Sequence, residues 1–113
     1  MKLNERRHEG AVILEAKGKI LGGSDCELLE QTIKDLIETG ARRVILNLAS
    51  VTLVNSSGLG SIIAIHTSLK RAGGDLKLLK VSNKIESLLV ITKLITVFDT
   101  FDDEDAAIQS FTV

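Results

Sequence analysis

Residues 53–63 read LVNSSGLGSII, and the other predicted strands and helices are arranged around this stretch. An apolar segment leads into three small polar residues, and an apolar run at helical spacing follows, which predicts a strand joined to a helix by a tight turn. Residues 55–57 each carry a short side-chain oxygen that can cap the first turn of that helix. Gly58 and Gly60 each cost about 1 kcal/mol relative to alanine inside a helix. Their presence indicates that something approaches the backbone closely, or that the turn has unusual dihedral angles.

Strand-like and helix-like segments alternate on both sides of this turn. Gly22 and Gly23 end the first extended segment, and the spacing of Ser24 and Glu27 predicts a capping box at the start of a helix. Such alternation predicts an α/β fold with a largely parallel sheet, in one domain over residues 1–113. The turn then lies at the carboxyl end of a central strand, where open α/β sheets place their sites. The first predicted strand is 11–17, and residues 18–21 either extend it or form a second strand. A helix from 24 and a strand at 43–48, which continues through 49–54, come next. The remaining predicted elements are helix 57–72, strand 75–81, a helix from 83, an extended piece at 97–98 and a helix from 102.

Periodicity also assigns the core and the isolated polar residues. Cys26 and His66 lie on the apolar sides of helices, so we interpret Cys26 as a small core residue and His66 as a partly buried one. His8 lies in a polar segment and is expected to be exposed. The acidic residues 102–105 are interpreted as charges at a helix start and not as a metal site. The residues expected in one core are Val44, Leu46, Leu48, Ile62, Leu69, Leu78 and Leu88.

The composition argues against several classes of function. A net charge of -1, with both signs dispersed, gives no basic footprint for a nucleic acid. A lone cysteine excludes an intramolecular disulfide and a cysteine-cluster metal site. No apolar run reaches the roughly 18 residues of a membrane span, and no apolar segment follows the first charged residues as in a signal peptide. We therefore expect a cytoplasmic protein.

Catalytic motifs are equally scarce in the sequence. It has no Gly-x-Ser-x-Gly elbow and no phosphate-binding loop ending in Gly-Lys-Ser/Thr. Residues 58–60 resemble the start of a dinucleotide fingerprint, but Ile63 occupies the place of its third glycine. We expect neither an enzyme nor a bound cofactor or metal. A hydroxyl turn at a helix start is nevertheless a good place to add or remove a phosphate.

Residues 51–60, VTLVNSSGLG, resemble the signature of the STAS domain family, specifically of the bacterial anti-sigma factor antagonists. The family form is Asp-Ser-Ser/Ala-Gly followed by Leu-Gly, after a strand of the type Val-Ile-Leu-Asp-Leu-Ser. The resemblance continues in register over nearly the whole chain, from residues 18–19 to residues 97–98. It implies a small mixed, largely parallel sheet of four to five strands with helices packed mainly on one face.

The resemblance also implies a function, which is partner switching. The unphosphorylated protein would bind an anti-sigma factor that is also a serine kinase, and would thereby release a sigma factor. The kinase would phosphorylate Ser57, and a metal-dependent serine phosphatase would reverse the reaction. The chain itself would be a monomer or weak dimer without catalytic activity, and would bind neither nucleic acid nor membrane.

The partner is expected to cover two loops that leave the same side of the sheet. Replacing Gly58 by arginine in that contact should reduce binding, with only a modest fall in melting temperature. The residues predicted to bind the partner are Asn55, Ser56, Ser57, Gly58, Gly22, Gly23, Ser24 and Asp25.

Asn47 and Asn55 depart from the family pattern, which has aspartate at both positions. Both asparagines keep the shape and hydrogen-bonding capacity of aspartate but remove a charge. The fold should tolerate this, whereas phosphorylation is open to question. Alternative functions are a non-switching scaffold or stress-sensor subunit of the same fold, and a small nucleotide-binding protein or enzyme. The plainest alternative is that Ser56 and Ser57 only cap a helix.

Overall fold

Strands and helices alternate through residues 1–112, the part of the chain that the computed structural model describes. The fold was expected to be α/β, and it is. In chain order the elements are β1 (Lys2–His8), β2 (Ala11–Ile20), α1 (Ser24–Glu38), β3 (Arg43–Val54), α2 (Ser56–Arg71), β4 (Asp75–Leu79), α3 (Asn83–Ile91), β5 (Asp99–Phe101), α4 (Glu104–Gln109) and a 3₁₀ turn (Ser110–Thr112).

The strands form one mixed sheet in the order β1-β2-β3-β4-β5. β1 pairs antiparallel with β2, and the remaining neighbours are parallel. The pairing of Ile20 with Val54 places the carboxyl ends of β2 and β3 together at one edge. The pairing of Arg43 with Asp75 places the amino ends of β3 and β4 at the opposite edge. The predicted largely parallel, mixed sheet is confirmed, with five strands in the described residues.

Apolar side chains cover the two faces of the sheet unequally. The larger cluster includes residues of α1, α2 and α3 and one face of the sheet, while α4 packs Ala107 and Ile108 against a smaller cluster on the other face. Six of the seven predicted core residues are buried, but Leu88 is only partly buried against the larger cluster. The buried residues of α3 are Ile85 and Leu89.

One strand was not predicted, and several boundaries differ from those predicted. α2 is shifted by one residue from the predicted 57–72, β4 ends two residues before the predicted 81, and α4 begins two residues after the predicted 102. β1 was not predicted, because the segment KLNERRH exposes charged side chains on both faces and has no apolar alternation. Backbone pairing to β2 holds this edge strand instead. The extended piece predicted at residues 97–98 is wrong, since β5 begins two residues later at Asp99 and Phe98 is a buried side chain that precedes it. β2 and β3 are each one continuous strand that includes the predicted extension.

The polar residues outside the turn mostly lie where they were expected. His66 is partly buried, with its ring edge-on to Phe98 at 5.1 Å between centroids. Asp103 caps α4 by accepting a hydrogen bond from the Ala106 N–H, which fits a helix-start role for the acidic run. His8 was expected to be exposed but is partly buried, because its Nδ1 lies 3.3 Å from a Glu104 carboxylate oxygen.

Helices in the described part of the chain are too short or too polar to cross a membrane.

Candidate functional site

The two predicted loops meet at the carboxyl edge of the sheet. β2 and β3 are parallel neighbours, so the loop of residues 22–25 and the turn of residues 55–58 emerge side by side. A Cβ built on Gly22, whose φ is +104°, would lie 3.0 Å from the Ser57 Cβ. We call these eight residues the serine edge. The structure therefore brings together every residue that was predicted to bind the partner.

Asn55 joins the two halves of the serine edge. Its Oδ1 accepts a hydrogen bond from the Gly58 N–H at 2.8 Å, which makes it the N-cap of α2, as predicted. Its Nδ2 donates to the Leu21 carbonyl at 2.8 Å, and its backbone N–H donates to the Ile20 carbonyl at 3.3 Å. An aspartate could cap the helix equally well, but it has no side-chain N–H for Leu21. The amide thus performs a bridging role that the family's usual carboxylate cannot.

The packing around Gly58 leaves no room for a larger side chain in the turn. It is buried, and a Cβ there would overlap the Ile20 carbonyl group, with only 2.8 Å to the carbonyl carbon. The close backbone approach inferred from the glycines is confirmed at this position. It does not extend to Gly60, whose Cβ would meet nothing within 4 Å in the described structure. The expectation that Gly58→Arg costs little stability is wrong, because no side chain fits between α2 and β2.

Ser56 and Ser57 are exposed at the first turn of α2. Within residues 1–112 neither hydroxyl has a hydrogen-bond partner, and neither do the two backbone N–H groups. The first turn of α2 also contains no acidic residue. The helix start therefore offers unpaired donors and positive partial charge beside two accessible hydroxyls.

The capping box predicted at Ser24 is wrong. Gly23, with φ of +55°, occupies the N-cap position of α1, and no side chain caps the helix there. Backbone hydrogen bonds close this turn instead, from the Asp25 N–H to Gly22 and from the Glu27 N–H to Gly23. Ser24 is an exposed first residue of α1, while an Asp25 carboxylate oxygen accepts from the Leu21 N–H at 3.3 Å.

Cys26 lies elsewhere than its predicted role required, and Asn47 lies away from the serine edge. Cys26 is not a core residue; it is half-buried beside the serine edge, with Sγ 3.4 Å from the Ser57 carbonyl oxygen. Asn47 shares a face of β3 with Ile45, on the α4 side of the sheet, and its Oδ1 accepts from the Ala49 N–H at 3.0 Å. Asn47 is therefore not part of the serine edge, and of the two asparagines only Asn55 lies beside Ser57.

Comparison with known proteins places this geometry in a family. The family profile described as the STAS domain matches residues 2–107. BtrV of Bordetella bronchiseptica, assigned as an anti-sigma factor antagonist, is 24% identical over 111 residues, which cover 98% of this chain and 95% of BtrV.

Solved structures show the same fold. A Thermotoga maritima protein, assigned as an anti-sigma factor antagonist, superposes with a TM-score of 0.89 at 22% identity, over 98% of this chain and 95% of that one. The phosphorylated form of SpoIIAA, a Bacillus cell fate determinant, gives a TM-score of 0.75 at 20% identity, over 96% of this chain and 98% of that one.

Proposed function

We propose, because this chain belongs to the STAS domain family, that it acts as an anti-sigma factor antagonist controlled by phosphorylation of Ser57. The observation that carries the proposal is the exposed, unpaired Ser57 hydroxyl at the start of α2, beside a second exposed loop. Relatives with this fold are named anti-sigma factor antagonists, and SpoIIAA has been solved in a phosphorylated form.

The partner in this proposal is an anti-sigma factor with serine kinase activity, and its footprint is the serine edge. The footprint includes apolar surface, because Leu21 and Leu53 flank the two loops and are 39% and 44% exposed. Apolar groups at the centre of a contact exclude water and strengthen the polar interactions around them. Binding of the unphosphorylated chain would keep the anti-sigma factor away from its sigma factor.

Phosphorylation would leave the free domain folded and weaken the complex. A phosphate adds about -1.5 to -2 charges at neutral pH, and the unpaired N–H groups of Ser56 and Ser57 can donate to it. An anion at a helix N-terminus is stabilised by about 0.3–1 kcal/mol. In the complex the same charge would be desolvated without a countercharge, at a cost of several kcal/mol. Since each ~1.4 kcal/mol is tenfold in affinity, binding would fall by orders of magnitude.

The remaining parts of the cycle lie with other proteins. A metal-dependent serine phosphatase would remove the phosphate and restore binding. In this proposal the chain contributes no catalytic group, acts in the cytoplasm, and remains a monomer or weak dimer.

Pull-down of partners from native lysate, with intact mass of the bound and free pools, tests the proposal. The bound pool should be unphosphorylated, and the free pool should contain a species heavier by one phosphate. Ser57→Ala should bind and resist phosphorylation, while Ser57→Asp should stay folded and lose binding. Ser56→Ala is the matched control and should still be phosphorylated. A phosphate that maps to Ser56, or binding that survives phosphorylation, would contradict the proposal.

Asn55 supports one alternative, a non-switching scaffold or sensor subunit. The kinase could require the carboxylate that the family usually has beside the serine, so its absence would leave a permanently binding protein. That protein would remain unphosphorylated in cells and would elute in a large stable assembly. Restored phosphorylation in Asn55→Asp would identify this alternative.

A further inference from the structure

A cavity of about 460 Å³ lies at the edge of the sheet opposite the serine edge, where β3 and β4 begin. Its volume falls within the range of roughly 300–1,000 Å³ that small-molecule sites occupy. We call it the basic cavity, because four of the side chains lining it are cationic. The residues that matter here are Arg42, Arg43, Lys70, Asp75, Lys77 and Phe111.

A glycine fixes the shape of the basic cavity. Gly74 follows α2, and a Cβ on it would lie 2.9 Å from the Arg42 Cα. The Asp75 N–H also donates to the Arg42 carbonyl at 2.8 Å. The loop after α2 is therefore held against the backbone that carries Arg42 and Arg43, and the basic side chains are brought together by tight packing.

Two of the four cations already have carboxylate partners. Lys77 is almost fully buried, and its ammonium group donates to Asp75 at 3.0 Å and to Asp99 at 2.5 Å. Lys70 is half-exposed and lies 3.3 Å from the other oxygen of Asp75. Within residues 1–112, these four cations thus share two carboxylates, which leaves two positive charges without a side-chain countercharge.

The two arginines supply that excess charge. Arg42 uses only Nη1, which donates to the Ile37 and Ala41 carbonyls near the end of α1. Arg43 is exposed, and its guanidinium has no hydrogen-bond or ion-pair partner in residues 1–112. The carboxyl ends of α1 and α2 each carry about half a negative charge, so about one positive charge remains after they are included.

We propose that the basic cavity binds a small anion of the phosphate class, with Arg43 as its principal ligand. A planar guanidinium donates two parallel hydrogen bonds to phosphate oxygens, and Lys70 lines the same cavity as a second cation. The Phe111 ring, 5.3 Å from the Lys77 ammonium group, adds an aromatic wall that could contact an organic substituent. The anion would therefore be either inorganic phosphate or a phosphomonoester. This site is separate from the serine edge and does not depend on its proposed function.

Titration of the ¹⁵N-labelled chain with inorganic phosphate, at constant ionic strength with chloride as the compensating salt, tests the proposal. The amide resonances of Gly73 and Gly74 should shift saturably. Arg43→Gln should weaken binding about tenfold, as expected for loss of a charge-assisted hydrogen bond. Arg7→Gln removes an equally exposed charge from β1 and should bind as the native chain does. If Arg43→Gln fails to fold, Arg43→Lys serves instead. It keeps the positive charge but loses the two parallel guanidinium donors, so it should bind phosphate more weakly than the native chain.

A parallel titration with phenyl phosphate distinguishes the two sources of the anion. Tighter binding than inorganic phosphate, lost in Phe111→Leu, would identify a phosphomonoester; equal binding would identify the free anion. The proposal is overturned if no saturation occurs by about 10 mM. It is also overturned if the Arg43 and Arg7 variants behave alike, or if the shifts appear at Ser56 and Ser57 instead.

Discussion

Helix α2 connects two edges of the sheet that are built by different means. At its amino end, the serine edge is closed by backbone contact and by one amide side chain, and the Ser56 and Ser57 hydroxyls have no partner among residues 1–112. At its carboxyl end, the basic cavity is built around a shared carboxylate and several cations. Each edge also depends on a glycine, Gly58 or Gly74, that lets two backbones touch. Shape therefore determines the first edge, whereas charge determines most of the second.

This difference predicts how each edge responds to solution conditions. Steric fit is insensitive to salt, whereas attraction between partly exposed charges weakens as ionic strength rises. A surface that must present one hydroxyl in a fixed position gains from being independent of salt and pH. A surface that carries unneutralised charges can bind an ion, but that binding then depends on salt and pH.

Gly58→Ala should reduce the free energy of unfolding more than any other substitution considered, because it disturbs the close packing of α2 against β2 at the serine edge. The added Cβ overlaps the Ile20 carbonyl, which belongs to a paired strand and cannot move aside freely. We expect a loss of about 3 kcal/mol or more, at the upper end for overpacking. Urea unfolding at low and high salt should give the same loss.

Gly60→Ala is the matched control for that prediction. It lies in the same helix, and its Cβ meets nothing within 4 Å in the described residues. Alanine should therefore stabilise α2 by up to about 1 kcal/mol through helix propensity. Similar losses at both positions would show that glycine serves flexibility here and not close packing.

Lys77→Met tests the opposite edge. It removes the buried cation that donates to Asp75 and Asp99. After the substitution, water can hydrate Asp99 and Lys70 still pairs with Asp75. We therefore expect the free energy of unfolding to fall by about 2 kcal/mol, less than for breaking a fully buried ion pair. Lys70→Met, at the exposed pair, should cost under about 1 kcal/mol. Unlike the Gly58 effect, the Lys70 loss should shrink as salt is raised in urea unfolding, whereas the Lys77 loss should shrink less because its ammonium group is almost fully buried. Equal losses from the two substitutions would contradict the central role given to Lys77.

Asn55→Asp should have a smaller effect at the serine edge. The new carboxylate keeps the cap on Gly58 but faces the Leu21 carbonyl with an acceptor in place of a donor. We expect a net loss of about 1 kcal/mol, because the missing hydrogen bond outweighs the favourable charge at the helix start. Thermal unfolding measures this loss. An increase in stability would show that the amide bridge contributes little.

The sequence predicted the serine edge well because its signals are local. Short polar side chains before an apolar helical run indicate a capped turn, and Gly58 signalled the close approach of another backbone. Ser24 was misinterpreted because a glycine with positive φ can close a turn without any side-chain cap. β1 was missed because an edge strand exposed on both faces needs no apolar alternation.

The basic cavity could not be predicted from the sequence. Its side chains come from the start of β3, the end of α2, the middle of β4 and the turn after α4. Only the parallel register and the approach at Gly74 bring them together. Local patterns carry no information about such long-range proximity, so a dispersed set of charges looked like an ordinary solvated surface.

The smallest expected effect is a pH dependence of stability at the charged edge. Burial lowers the pKa of His66, although Asp75, 3.8 Å away, opposes this shift. As pH falls, His66 of the unfolded chain therefore binds a proton near the ordinary histidine pKa of about 6.5. In the folded chain it binds that proton only at lower pH. Stability should fall as pH drops through this range and level off once folded His66 is also protonated. Lys70, Lys77 and Asp99 also act on His66 and are included in that net direction.

His66→Phe tests this dependence, because it keeps an aromatic ring against Phe98 and removes the titrating group. Urea unfolding from about pH 7.5 to about pH 3 should show a flatter limb near pH 6 in the variant. A second fall in stability comes from protonation of Asp75. Burial alone raises the pKa of its carboxyl group, but hydrogen bonds from Lys77 and the Leu76 N–H lower that pKa overall. Its stabilisation should be lost only below the ordinary aspartate value of about 3.9, in native chain and variant alike. An unchanged limb near pH 6 in His66→Phe would mean that the histidine does not couple stability to pH.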